Sequence, residues 1–396
     1  MEQSVLQPQE SLAPLLHQRA KLFIGVPKEL SFQENRVALT PETVAFLTSR
    51  NHRVVVETMA GEKSGFTDQQ YSEAGAEIAY DAEQVFKAHI IIKISPLTQE
   101  QLEWVQANQI IFSVLHLPAM KSEWLRTLMK KNVTLIAYEY IKDESGRFPI
   151  IRALSEIAGS AAILIASEYL SSTRDGQGLL LGGIAGVPPA RIVILGAGTV
   201  GEYATRAALG LGAEVRVFDN NIYKLMRLQN NVGVRVYTSI INPNLLSTEL
   251  SKADVVIGAI HSEAGRAPMV VTESMISYMK PGSVIVDVSI DQGGCFETSR
   301  VMNHKNPTFI THGVIHYCVP NIASRFAKTA SSALSHVLLP LLLRLGDFGG
   351  FEDFLRHSHG SRNGVCLYNG LLTNEHLSKI FGIRYIPLDL ILPFPQ

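Results

Sequence analysis

Ile192–Leu195 run directly into Gly196-Ala197-Gly198-Thr199-Val200-Gly201, and a helix-period pattern then continues through Leu211. This strand, glycine turn and helix restrict the fold more than any other stretch, because in that order they open a βαβ dinucleotide-binding unit. Gly196 permits the tight turn, Gly198 lets backbone approach a pyrophosphate, and Gly201 lets helix and strand pack closely. Thr199 and Val200 open the helix, whose N-terminus offers N–H groups and the positive end of its dipole to phosphates. The next strand, Glu214–Phe218, ends in Asp219. A carboxylate there accepts the adenosine ribose hydroxyls and repels a 2′-phosphate, which points to NAD rather than NADP.

Apolar runs rich in Val and Ile alternate with helical patterns along most of the chain. In the first half the expected strands are 22–26, 53–57, 90–94, 110–115 and 133–138, with helices at 41–50 and 121–130 between them. Thr40, Pro41 and Glu42 mark the first helix start as N-cap, first position and acidic first turn. A second series has expected strands at 192–195, 214–218, 234–238, 255–260, 283–288 and 308–311, preceded by a Gly- and Pro-rich loop over 176–189. Strand–helix alternation of this kind implies an α/β fold with two doubly wound, mainly parallel sheets. After residue 325 the pattern turns helical, then polar, with a short element near Tyr385.

The 396 residues are 46% apolar and carry a net charge of −1, which argues against a nucleic-acid or membrane-surface protein. Cys295, Cys318 and Cys366 form no C-x-x-C pair, which fits a reducing cytoplasm and supports neither disulfides nor a cysteine metal site. The histidines lack ligand spacing, so no metal is implied, and His357-Ser358-His359 reads as surface. Residues 1–20 do not read as a signal peptide; they are either disordered or a helix packed through Leu12, Leu15 and Leu16. The apolar run Val337–Leu343 contains Pro340 and is too short for a bilayer, which needs roughly 20 apolar residues. It reads as a buried helix or turn.

The segments IGVPKE…ENRVALTP (24–41), FSVLHLPA (112–119), LSEIAG (154–159), VILGAGTVG (193–201), ADVVIGA (253–259), VDVSIDQGGCFE (286–297) and HYCVPNI (316–322) resemble the alanine dehydrogenase and transhydrogenase family. The likeness runs from about Phe23 to Leu388. It implies a Rossmann NAD domain (150–326) inserted into a flavodoxin-like substrate domain (21–149 plus 327–396), after an N-terminal extension (1–20). It also implies a homo-oligomer, hexameric among the dehydrogenases. By the resemblance Arg36 is the substrate-binding arginine, and a guanidinium fork does grip a carboxylate through two hydrogen bonds. His116 matches the catalytic histidine, with a pKa suited to proton transfer near neutrality. Asp291, expected to end an extended strand at 283–290, matches the catalytic aspartate. Ser155, Lys224 and Asn321 match residues that contact the dinucleotide.

The chain departs from the family at one position. Alanine dehydrogenases usually carry two lysines one residue apart after the third of these strands, the second holding the substrate. Here the segment reads Ile92-Lys93-Ile94-Ser95-Pro96, and Ser95 stands where the functional lysine would be. Residues i and i+2 share a strand face about 6.5 Å apart, so Lys93 is expected either to reach the substrate from one step back or to leave the pocket one cation short. The expected activity is reversible, NAD-dependent oxidative deamination of L-alanine to pyruvate and ammonia. The alternatives are a dehydrogenase for another imino or keto acid, and a non-catalytic, transhydrogenase-like NAD(H)-binding subunit.

Overall fold

The structure, a computed structural model, describes residues 20–115, 121–262 and 265–394. His116 and the leucines of the N-terminal extension lie outside the described residues.

The first sheet begins with β1 (Phe23–Val26), β2 (Arg53–Glu57), β3 (Glu77–Ala79), β4 (Ile90–Ile92), β5 (Ile110–Ser113) and β6 (Thr134–Ala137). All six pair in parallel, in the order β3-β2-β1-β4-β5-β6. The expected doubly wound α/β class is what forms. The order, however, is the 3-2-1-4-5-6 of a dinucleotide-binding sheet and not the flavodoxin-like 2-1-3-4-5. The strand centres are apolar because both faces are covered, while polar residues such as Arg53, Glu57 and Glu77 stand at strand ends. Ile24, Val26, Val54 and Val56 enter one core, while Val55, Ile91, Ile111 and Leu135 enter the other.

The second sheet is built from β7 (Arg191–Leu195), β8 (Glu214–Phe218), β9 (Tyr237–Ser239), β10 (Val255–Gly258), β11 (Val284–Asp287), β12 (Thr308–Thr311) and β13 (Val314–Tyr317). Its order is β12-β13-β11-β10-β7-β8-β9, parallel except for β12. The sixth parallel strand is thus β13, and the expected strand at 308–311 is an antiparallel edge. The chain then returns to the first sheet, where β14 (Val365–Tyr368) pairs antiparallel with β6 and β15 (Leu371–Leu372) closes the edge.

Two long helices run beside these sheets, Pro149–Leu170 and Ala327–Asp347. The first, and the second taken together with the turn before it (Ile322–Asp347), are apolar and long enough to cross a membrane by length and composition alone. Part of each helix packs into the fold: Ala161, Ile163 and Ile165 enter the core of the second sheet, and Leu334, Leu338 and Leu342 that of the first. Pro340 lies inside the second helix, so the run at 337–343 is a segment of a helix of 21 residues rather than a separate short element.

The loop after β1 is stitched by buried serines to this helix and to the 3-10 turn Ile322–Phe326 before it. Ser324 Oγ accepts from Asn35 N (3.0 Å) and donates to the Gln33 carbonyl (2.7 Å). Ser331 Oγ accepts from Val37 N, and Ser335 Oγ from Thr40 N, both at 2.9 Å. Thr40 therefore starts its helix without capping it, and its hydroxyl turns to Ser335 instead. Ser331→Ala would leave the buried Val37 N–H without its acceptor. The expected loss is about 1–3 kcal/mol, read from urea unfolding at fixed pH; an unchanged midpoint would mean the stitch is energetically silent.

Candidate active site

Arg36, the glycine loop and Asp291, candidate site residues from the sequence, sit beyond the C-terminal ends of β1, β7 and β11, where open α/β sheets bind ligands. A cavity of about 240 Å³ lies between the two sets of loops and is lined by Arg36 from the first and by Val200, Ile260, Asp291 and Asn321 from the second. Ser155, in the second turn of the helix Pro149–Leu170, lines it too.

Arg36 is only 6% exposed. Glu34 grips it from two positions back, with Nε donating to Oε1 (2.7 Å) and Nη2 to Oε2 (2.6 Å). Burial works against the charge on Arg36, but Glu34 more than offsets this and keeps the guanidinium charged. Burial likewise acts to raise the Glu34 carboxyl, yet Arg36 holds it below the usual carboxylate range. Asn321 Nδ2 also donates to Glu34 Oε2 (3.0 Å), across the cavity.

Asp291 does not extend a strand. β11 stops at Asp287, and residues Val288–Gln292 form a 3-10 turn closed by Gly293 at φ 93°. The turn exposes Asp291, whose Oδ1 accepts from Asn321 N at 3.0 Å. Asn321 is left-handed at φ 57°, a conformation Asn tolerates better than other side chains. Two neighbours tie this turn to the loop after β10: Ser289 Oγ accepts from Ile260 N, and Gln292 Oε1 from Ser262 N, both at 2.9 Å. The sequence singles out Asp291 in this stretch but none of Gln292, Ser289 and Glu34.

The phosphate loop has the geometry its sequence implies. Gly196 turns at φ 110° against Ala259, a Cβ on Gly201 would lie 1.9 Å from the Gly196 carbonyl, and a Cβ on Gly198 would meet nothing within 4 Å. Backbone at Gly198 is thus open to a ligand. The helix Thr199–Gly210 starts there with no side-chain cap, leaving its first N–H groups for an anion. Asp219 follows β8 and braces the loop, accepting from Ala197 N (2.7 Å) through Oδ2 and from Asn221 N (2.7 Å) through Oδ1. Lys224 is exposed in the first turn of the next helix, and Arg227, not singled out in the sequence, donates to the Ala197 carbonyl. These residues fit a nicotinamide dinucleotide, with pyrophosphate at the glycines and adenosine near Asp219.

Lys93 does not line the cavity. It is 1% exposed, and its three donors go to Glu29 Oε2 (3.2 Å) and the carbonyls of Ser95 (2.6 Å) and Pro96 (3.1 Å). Glu29 also accepts from the Ile94 and Ser95 N–H groups. Lys93 folds back into this bend instead of reaching forward, and neither it nor Ser95 lines the cavity.

A further acid stands behind β5. Glu139 Oε1 accepts from Leu115 N (2.8 Å), the residue before His116, while its buried Oε2 has no partner among the described residues. Burial pushes its carboxyl up to about 7 from an ordinary 4.5.

Two doubly wound sheets meeting over a charged arginine and a dinucleotide loop define a two-domain, nicotinamide-dinucleotide-dependent oxidoreductase. The family model "Alanine dehydrogenase/PNT, N-terminal domain" matches residues 25–158, and "Alanine dehydrogenase/PNT, C-terminal domain" matches 162–375. The chain belongs to this family. It is 39% identical over 372 residues to an alanine dehydrogenase of Bacillus subtilis, covering 94% of this chain and 98% of that one. A solved L-alanine dehydrogenase superposes with a TM-score of 0.86 at 36% identity, covering 91% of this chain and 99% of that one. A transhydrogenase from Sinorhizobium meliloti (TM-score 0.76, 24% identity, 89% and 99% covered) shares the fold.

Glu139 supplies a pH test. Its folded pKa lies above the unfolded one, so its contribution to stability is complete below about 4.5 and is lost as pH rises through about 7. Glu139→Gln removes that loss. Relative to the parent, the variant should gain up to about 3 kcal/mol between pH 5 and pH 8 in urea unfolding; a pH-independent difference would show that Glu139 does not titrate in this range.

Proposed function

We propose that this protein catalyses the reversible, NAD-dependent oxidative deamination of L-alanine to pyruvate and ammonium. The observation that carries this reading is the buried, charged Arg36 in one small cavity with Asp291, Asn321 and Ser155. The naming of full-length relatives at 39% identity supports it. We also propose the division into a substrate domain (21–149 plus 327–396) and an NAD domain (150–326).

Arg36 holds the substrate carboxylate. Because Lys93 is consumed by Glu29, the pocket has one cation fewer than the family pattern, and the carboxylate rests on Arg36. NAD would accept the hydride; the N–H groups at Gly198–Gly201 would hold its phosphates and Asp219 its adenosine ribose, with Lys224 nearby. Alanine with its amine unprotonated gives up hydride from Cα and becomes an iminium ion; water adds to that carbon with loss of a proton, and the resulting carbinolamine, protonated on nitrogen, expels ammonia as its oxygen loses a proton to give pyruvate. Asp291 orients the amine and the water and stabilises the positive charge on nitrogen. His116 is assigned, by the resemblance alone, the proton transfers at the carbinolamine oxygen. The loops of both sheets keep bulk water from the cavity.

The Asp219 carboxylate favours NAD over NADP, and we expect kcat/KM for NADH to exceed that for NADPH by about a hundredfold, the scale of a like-charge contact. The reading is tested by NADH oxidation with pyruvate plus ammonium against a panel of keto acids. Preferred turnover of pyruvate, reduced about a hundredfold or more in Arg36→Met with NADH binding retained, is the expected result. A different preferred acid would trace to the Lys93–Ser95 departure, and NADH binding without any turnover would favour the non-catalytic transhydrogenase-like subunit.

We propose further that the protein is a cytoplasmic homo-oligomer. Three buried free thiols fit a reducing compartment, and the loop after the helix Pro149–Leu170 exposes Leu180, Ile184 and Val187, each more than half accessible. Light scattering should find a mass that is a multiple of the 43.5 kDa chain; a monomer at micromolar concentration would reject the assembly.

A further inference from the structure

Glu34 does more than neutralise a buried arginine. Its carboxylate, 3% exposed, receives Arg36 Nε (2.7 Å) and the Arg36 backbone N (3.1 Å) on Oε1, and Arg36 Nη2 (2.6 Å) and Asn321 Nδ2 (3.0 Å) on Oε2. Ser324 Oγ lies 3.5 Å from Oε1. A planar guanidinium offers carboxylates a few discrete bidentate edges. Glu34 takes the Nε–Nη2 edge and leaves Nη1 untouched, so a second carboxylate must approach on the side of the two terminal nitrogens.

Asn321 extends the chain of bonds. Its side chain donates to Glu34, and its backbone N–H donates to Asp291 Oδ1 (3.0 Å). Arg36, Glu34, Asn321 and Asp291 are therefore linked without a break from the loops of the first sheet to those of the second. The groups at its ends are the ones proposed to hold the substrate carboxylate and to act at its amine-bearing carbon. Their separation must match one small molecule, and a misplacement near 1 Å at such a site costs about a hundredfold in rate.

We infer that Glu34 is a positioning residue for the substrate: it selects the guanidinium edge offered to the carboxylate and, through Asn321, fixes that edge relative to Asp291. This rests on the proposed amino-acid oxidation. A residue serving only to balance charge would be replaced adequately by the shorter Asp. A residue that sets position would not, because Asp lacks the reach to hold both Arg36 nitrogens and Asn321 together.

The test compares the parent, Glu34→Asp and Glu34→Gln. Steady-state kinetics use the keto acid that the parent turns over best, and NADH affinity is measured by fluorescence. Positioning predicts that Glu34→Asp raises the keto-acid KM about tenfold or more and lowers kcat, while the NADH Kd stays within about twofold. Glu34→Asp kinetics within twofold of the parent overturn the inference. If Glu34→Asp no longer binds NADH, Glu34→Gln decides by the same criteria; loss of NADH binding in both variants also overturns it, because Glu34 then serves the fold. A parent inert toward pyruvate but active on another acid rejects the alanine assignment and leaves this comparison intact.

Discussion

A positive charge buried to 6% exposure has to be paired, and the pairing of Arg36 with Glu34 organises the rest of the site. An isolated guanidinium in such a place would carry a desolvation penalty of several kcal/mol, repaid only by good geometry and further hydrogen bonds. The pair meets both conditions: two short bonds join its members, and Asn321 adds a donor from the opposite side of the cavity. The result is a charged group held at the mouth of a dinucleotide site, with one edge already committed.

That arrangement depends on a loop with little regular structure. The segment 31–40 between β1 and the helix Pro41–Ser49 is anchored by Ser324, Ser331 and Ser335, and Ser64 donates to the Asn35 carbonyl. Each serine supplies a polar partner to backbone that would otherwise be buried unsatisfied. Because Ser331 and Ser335 lie one turn apart on the helix Ala327–Asp347, a late part of the chain shapes the loop that carries Arg36, their bonds spanning 294 and 295 residues. A second bend, after β4, is held the same way by Glu29, and its internal demand for a cation explains where Lys93 is spent.

The glycine loop was legible in full because each glycine answers a local steric requirement that backbone geometry alone dictates. The expected strands of the first sheet formed within a few residues, since alternate side chains fill two cores. What escaped reading was set by distant partners. Glu34 lies two residues from Arg36, a spacing that suggests opposed directions only if the segment were helical and shared faces only if it were a strand; the irregular loop supplies the grip. Glu29 is 64 residues from Lys93, so the ion pair that withdraws that lysine left no trace in the local pattern. Asp291 was legible by its motif, but the 3-10 turn that presents it follows from Gly293 and from bonds to Ile260 and Ser262. β14 was hidden because its four residues acquire strand character only by pairing with β6.

The central claim is that substrate carboxylate meets Arg36 on the edge that Glu34 leaves available, inside the cavity shared by both sheets. A crystal structure of the protein with NADH and a non-reacting keto-acid analogue tests it directly. The account predicts carboxylate oxygens within hydrogen-bond reach of the Arg36 terminal nitrogens, the Glu34 pair intact, and Lys93 still bound to Glu29. A carboxylate held instead by Lys93, or a Glu34 displaced from Arg36 by the ligand, would contradict it.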